Sequence, residues 1–179
     1  MKTIDRQAQG VTLLELLAVM TIVALLAGGG LRAWTGYQQA LRLEQGAQQL
    51  LAFLNRVQAN AYWHNETRTV RLVRQGEYWC MESATDSGGD AAEGFAERGC
   101  SAGGGCCDDG GRRFTRISKA LAVTRSTSDA FAFYGLRNAA QPGHITLSNP
   151  AGEVRLVISV RGRMRLCSET RQVLAIPLC

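Results

Sequence analysis

Between Val11 and Leu31 the only charged residue is Glu15. An ionised carboxylate left unpaired in hydrocarbon costs several kcal/mol, so Glu15 needs either a cation beside it or a place among polar headgroups. A second set of groups fit for chemistry lies near the other end of the chain. In "RGRMRLC", Arg161, Arg163 and Arg165 alternate with Gly162, Met164 and Leu166. A strand there places three guanidinium groups on one face and the apolar groups on the other. Arg155 is close by, in the strand before. Such a face either stands in water and blunts sheet pairing, or docks onto DNA phosphates or an acidic partner subunit. No aromatic residues interleave with these arginines to stack bases.

The six cysteines are Cys80, Cys100, Cys106, Cys107, Cys167 and Cys179. None forms a C-x-x-C pair, which argues against zinc-ribbon and thioredoxin chemistry. Their even number, downstream of an apolar entry segment, points to disulfides in an oxidising compartment. We expect Cys80 to pair with a loop cysteine and Cys167 with Cys179. Adjacent Cys106 and Cys107 could form a redox pair, but a vicinal bridge would strain the backbone, so bonds to other cysteines of the head are favoured. The acids Asp86, Asp90, Glu93, Asp108 and Asp109 stand among glycines but fit no EF-hand spacing, so they read as solvated charge. His64 and His144 are the only histidines and do not sit at metal-ligand spacing. His64 is expected to pack or hydrogen-bond. No nucleophile-elbow signature accompanies the Ser, His and Asp residues. The expectation is a chain that is not an enzyme, with no cofactor and no metal.

These groups must be positioned by 179 residues, 46 % of them hydrophobic, with a formal net charge of +5. That is enough for one domain plus an appendage. After the polar leader "MKTIDRQAQG", the apolar run from Val11 to Leu31 is 21 residues long, about 31 Å as a helix and about one hydrocarbon thickness. No A-x-A site follows it, unlike a secretory signal. Arg32, Trp34 and Tyr37 follow instead and suit a membrane interface. Leu43, Ala47, Leu50, Leu54, Val57 and Ala61 then recur in steps of four and three, marking one helix face. The opposite side is rich in glutamine, from Gln38 to Gln58. With no proline from Val11 to Tyr62, the pattern predicts one continuous helix of about 50 residues. The triplet Gly28 to Gly30 is its weakest stretch.

From Thr67 the period becomes two. "TVRLV" and "EYWCM" flank "RQG" as a hairpin. Residues 82 to 113 hold nine glycines and seven acidic residues and are expected to form a surface loop. Strands are expected at "RFTRIS", "AFAFY", "HITLS", "EVRLVIS", "RMRLC" and "VLAIP", with turns at "NPAG" and "RG". The fold class is therefore α+β: a long N-terminal helix whose amphipathic half covers one face of an antiparallel sheet.

Gly10, Val11, Thr12, Leu13, Leu14 and Glu15 resemble the class III signal of type IV pilins and of type II secretion pseudopilins. This resemblance implies that a prepilin peptidase cleaves between Gly10 and Val11 and methylates the new amine of Val11. The usual residue after the cut is Phe, and Val11 departs from that. After cleavage, the amine of one subunit can meet Glu15 of a neighbour, a stronger attraction in low dielectric than in water. "YWHNETRTVRLVRQGEYWC", "FAFYGLRNAAQPGHITLSN" and "GEVRLVISVRGRMRLC" resemble the heads of minor pilins of the prepilin peptidase-dependent protein A type, which share a head family with H-type pseudopilins. The implied domains are a leader (1–10), a membrane and assembly half-helix (11–31), an amphipathic half-helix (32–62) and a periplasmic head (63–179). The implied partners are the prepilin peptidase, other minor and major pilins and the bacterial inner membrane. The implied function is a minor pilin that starts or caps a pilus. The alternatives are an H-type pseudopilin of type II secretion and a DNA-receptor pilin.

Overall fold

The computed structural model describes residues 12–75, 78–85, 113–115 and 121–179. Outside them lie Gly10, Val11, the loop cysteines Cys100, Cys106 and Cys107, and the acids Asp86, Asp90, Glu93, Asp108 and Asp109. The chain divides into two compact units, Met1–Tyr37 and Gln38–Cys179.

One helix, α1 (Leu13–His64), contributes to both units. Its start is fixed by Thr12, whose Oγ1 accepts the Glu15 N–H at 3.3 Å. Thr followed three residues later by Glu is the capping-box pattern, and an acid in the first turn also suits the helix dipole. The Gly28 to Gly30 triplet does not interrupt α1. The helix ends two residues beyond Tyr62, in a left-handed residue, Asn65, at φ 53°. The Asn65 N–H donates to the Tyr62 carbonyl and the Glu66 N–H to the Ala61 carbonyl, at 3.2 and 3.0 Å. Together these form a Schellman closure, which satisfies carbonyls the helix would otherwise leave unpaired.

In the second unit the strands are β1 (Thr67–Gln75), β2 (Tyr78–Thr85), β3 (Arg113–Thr115), β4 (Ala122–Ser126), β5 (Ala130–Tyr134), β6 (Ala139–Ala140), β7 (Gly143–Asn149), β8 (Gly152–Ile158) and β9 (Met164–Ser168). They form two antiparallel sheets, of order β3-β2-β1-β5-β6 and β4-β7-β8-β9, where the sequence suggested one. The hairpin of β1 and β2 forms as expected, but its strands run deeper into the connection, with Gln75 opposite Tyr78. Glu82 to Thr85 belong to β2, so the expected loop begins later than position 82, and Arg113 already belongs to β3. Of "RFTRIS", the described strand is Arg113–Thr115. "VLAIP" is not a strand: Leu174 has φ 48° and Val173 bridges back to Ile176.

The core is a single cluster. Leu43, Ala47, Leu50, Leu54, Val57 and Ala61 are all buried on α1. They pack with Val70 and Phe133 from one sheet and Leu147 and Leu156 from the other, with Val173 and Ile176 joining them. The side chains that alternate along β5 and β8 supply the inward face of each sheet. Polar anchors fasten the parts. The buried Trp79 indole N–H donates to the Leu121 carbonyl at 2.8 Å. Asn149 turns the β7–β8 hairpin by accepting the Ala151 N–H, and its amide donates to the Gln39 carbonyl of α1 at 2.7 Å.

Candidate functional site

Every described residue of α1 from Leu13 to Leu26 is exposed. Leu13, Leu14, Leu25 and Leu26 are each at least 70 % exposed. The apolar residues run round the whole circumference, as on a helix whose surroundings are apolar rather than aqueous. Among the described residues no helix is long and apolar enough to cross a membrane. The described side chains of the run, Leu13 to Leu26, cover about 21 Å of helix, short of a hydrocarbon thickness of about 30 Å. Glu15 lies in the first turn of α1, its backbone N–H held by Thr12. Trp34 and Tyr37 are both exposed, with ring centroids 6.4 Å apart.

The arginines separate into two groups. The expected strand carrying all of "RGRMRLC" begins only at Met164, so Arg165 is in β9 while Arg161 and Arg163 belong to the β8–β9 connection. The reason is a turn: the Gly162 N–H donates to the Ser159 carbonyl at 2.9 Å with Gly162 at φ 71°. The Ser159 N–H donates to the Arg163 carbonyl and the Arg163 N–H to Ser159 Oγ, closing the loop. Arg161, Arg163 and Arg165 nevertheless line one open depression of about 490 Å³, with Val157, Ser159 and Val160. All three arginines are exposed, and no carboxylate among the described residues pairs with them. Arg155 stands apart from this depression. It is ion-paired with Glu169 at 2.6 Å, and Glu169 also accepts the hydroxyl of the fully buried Thr146. The depression thus sets three guanidinium groups, unpaired among the described residues, beside two exposed valines.

Cys167 is bonded to Cys179, and Cys80 is also disulfide-bonded. The 167–179 bridge holds the terminal residues on β9, where Leu178 bridges Ser168 in parallel and the Ser168 N–H donates to the Pro177 carbonyl. His64 Nδ1 lies 3.0 Å from the Asn60 carbonyl one turn earlier. His144 Nδ1 lies 2.7 Å from Thr127 Oγ1. Among the described residues no three His, Cys, Asp or Glu side chains converge on a metal position.

Two features went unread in the sequence. The Thr12 cap was legible as T-x-x-E, and the gathering of two valines beside the arginines was not, since it needs the turn. Residues 5–31 match the prokaryotic N-terminal methylation motif. No curated protein and no solved structure matches the chain. The motif is the prepilin peptidase cleavage and methylation signal, and its match at the head of a helix bound to a β-rich domain supports a type IV pilin-like or pseudopilin-like precursor.

Proposed function

We propose that the chain is a structural subunit, a minor type IV pilin that helps start or cap a filament. Its head resembles those of the prepilin peptidase-dependent protein A type. The observation that carries this reading is the methylation motif over residues 5–31, which overlaps the exposed apolar part of α1. Prepilin peptidase removes residues 1–10 and methylates Val11. The apolar half of α1 holds the subunit in the inner membrane with the head in the periplasm, where its disulfides persist. During assembly the new amine of Val11 pairs with Glu15 of a neighbouring subunit. The carboxylate is costly in the lone subunit and less so in the bundle, which drives association and sets the axial register. Mass spectrometry of chain recovered from cells holding a prepilin peptidase should show N-methylated Val11 at the terminus. Gly10→Leu should block the cut. An intact Met1 in assembled filaments overturns the reading.

A second reading, a DNA-receptor pilin, is favoured by the clustering of Arg161, Arg163 and Arg165 around one depression where no carboxylate among the described residues pairs with them. Phosphate contacts by arginine give affinity without sequence preference. Three exposed arginines beside the exposed Val157 and Val160 suit a backbone-tracking surface.

A further inference from the structure

The turn that carries Arg161 and Arg163 is itself docked on the rest of the head. Gly162 is buried between two exposed arginines. A Cβ built at Gly162 would come within 2.1 Å of Gln58 Nε2 and 2.5 Å of the Asn138 carbonyl oxygen. Its φ of 71° disfavours any side chain independently. The surface it touches is also ordered. Gln58 Nε2, from α1, donates to Asn138 Oδ1 at 2.9 Å. Asn138 adopts φ 48° and closes the short 3-10 turn Gly135–Arg137. The Ala140 N–H of β6 donates to the Val160 carbonyl of the arginine turn at 3.1 Å. The tip of a hairpin in one sheet is therefore pinned to the helix and to an edge strand of the other sheet.

We infer that Gly162, Gln58 and Asn138 form a positioning seat that fixes the direction of the arginine cluster. This rests on the DNA-receptor reading above. None of the three seat residues carries charge, and none lines the depression. Their work is to hold the turn so that Arg161, Arg163 and Arg165 face the same phosphates at once. Three long side chains on a free turn would each spend rotamer and backbone freedom on contact. On a seated turn the backbone part of that cost is met during folding. Gln58 belongs to the core-bearing half of α1, so the helix that reads as an anchor also sets the geometry of the binding face.

The test uses the full chain in detergent micelles and a short labelled DNA duplex, with binding followed by anisotropy across a salt series. Arg163→Ala checks the reading: affinity should fall about tenfold, as for loss of one charged hydrogen bond, and the slope of log K against log salt should shrink by about 0.9. Gly162→Ala and Gln58→Ala change no charge. Under the inference each also flattens the salt slope, by about one contact, and weakens binding by roughly threefold to tenfold. A change in the number of phosphates engaged is a readout that a small loss of stability in a still-folded head would not produce. If Gly162→Ala fails to fold, Gln58→Ala decides, since it adds no atom to the crowded seat and removes the donor to Asn138 Oδ1. Wild-type slope and affinity in Gln58→Ala, alongside a weakened Arg163→Ala, overturn the seat while sparing the DNA reading. Absence of wild-type binding, no loss in Arg163→Ala, or preference for polyglutamate over the duplex overturns the DNA reading and takes the seat's proposed role with it.

Discussion

Leu16 and Leu50 occupy the same helix, α1, yet Leu16 is 55 % exposed and Leu50 is wholly buried. Residue type does not separate them; the residues around each do. Around Leu50 the apolar residues fall on one face and polar residues fill the rest, so the helix can bury a stripe against two sheets. Around Leu16 the apolar residues surround the helix, so no single packing partner within the chain could cover them. One half of α1 is specified by its own domain. The other presents apolar groups on every side that no described residue covers, and it carries the methylation motif.

The largest test of this contrast is Leu54→Ala. Leu54 is fully buried in the head core, and its truncation should cost up to about 5 kcal/mol, read as a lower denaturant midpoint for the head. Replacing both Cys167 and Cys179 with Ser comes next. Their separation of 12 residues corresponds to roughly 3 kcal/mol in the loop-entropy account. The melt should drop and residues near Cys179 should lose exchange protection. Leu25→Ala should move the head midpoint by less than about 0.5 kcal/mol, as an exposed substitution does, while weakening retention of the chain in detergent or lipid. Equal midpoint shifts for Leu25→Ala and Leu54→Ala would break the contrast. Glu15→Gln should have the smallest effect on the head, none within error. It should sharpen the contrast by cutting incorporation into filaments, counted by immunoblot of sheared filaments.

The helix face was legible because a 3.6-residue period needs only the order of apolar residues. Leu43 through Ala61 were read in this way, and each is buried. The strands of β5, β7 and β8 were legible from a period of two. β4 was not, because its register against β7 shifts between Val123 and Arg125, which breaks the alternation. β6 is two residues long and carries no period at all. "VLAIP" looked like a strand because Val173 and Ile176 do enter the core, but they do so across a tight reversal at Leu174. The division into two sheets depends on which strands meet across long stretches of chain, and alternation is silent on that. At the arginines, the residue types were legible and their convergence was not. It is set by the left-handed Gly162 and by contacts with Gln58 and Asn138, 104 and 24 residues away in sequence.

The pairing of β1 with β5 also has a kinetic consequence. Residues Arg71 and Ala130 face each other with 58 residues between them, whereas Asn149 and Gly152 close β7 onto β8 across two. Closing the longer loop costs about 3 kcal/mol more in chain entropy than closing the shorter one. The meander of β7, β8 and β9 can thus zip from local contacts, as can the hairpin of β1 and β2. The slow event is the meeting of β1 with β5, which completes the first sheet over the helix. Until it happens, Val70 and Phe133 remain uncovered, and the head is most vulnerable to proteolysis and self-association during that interval. Shortening the stretch between β2 and β3 should hasten folding while leaving both sheets intact.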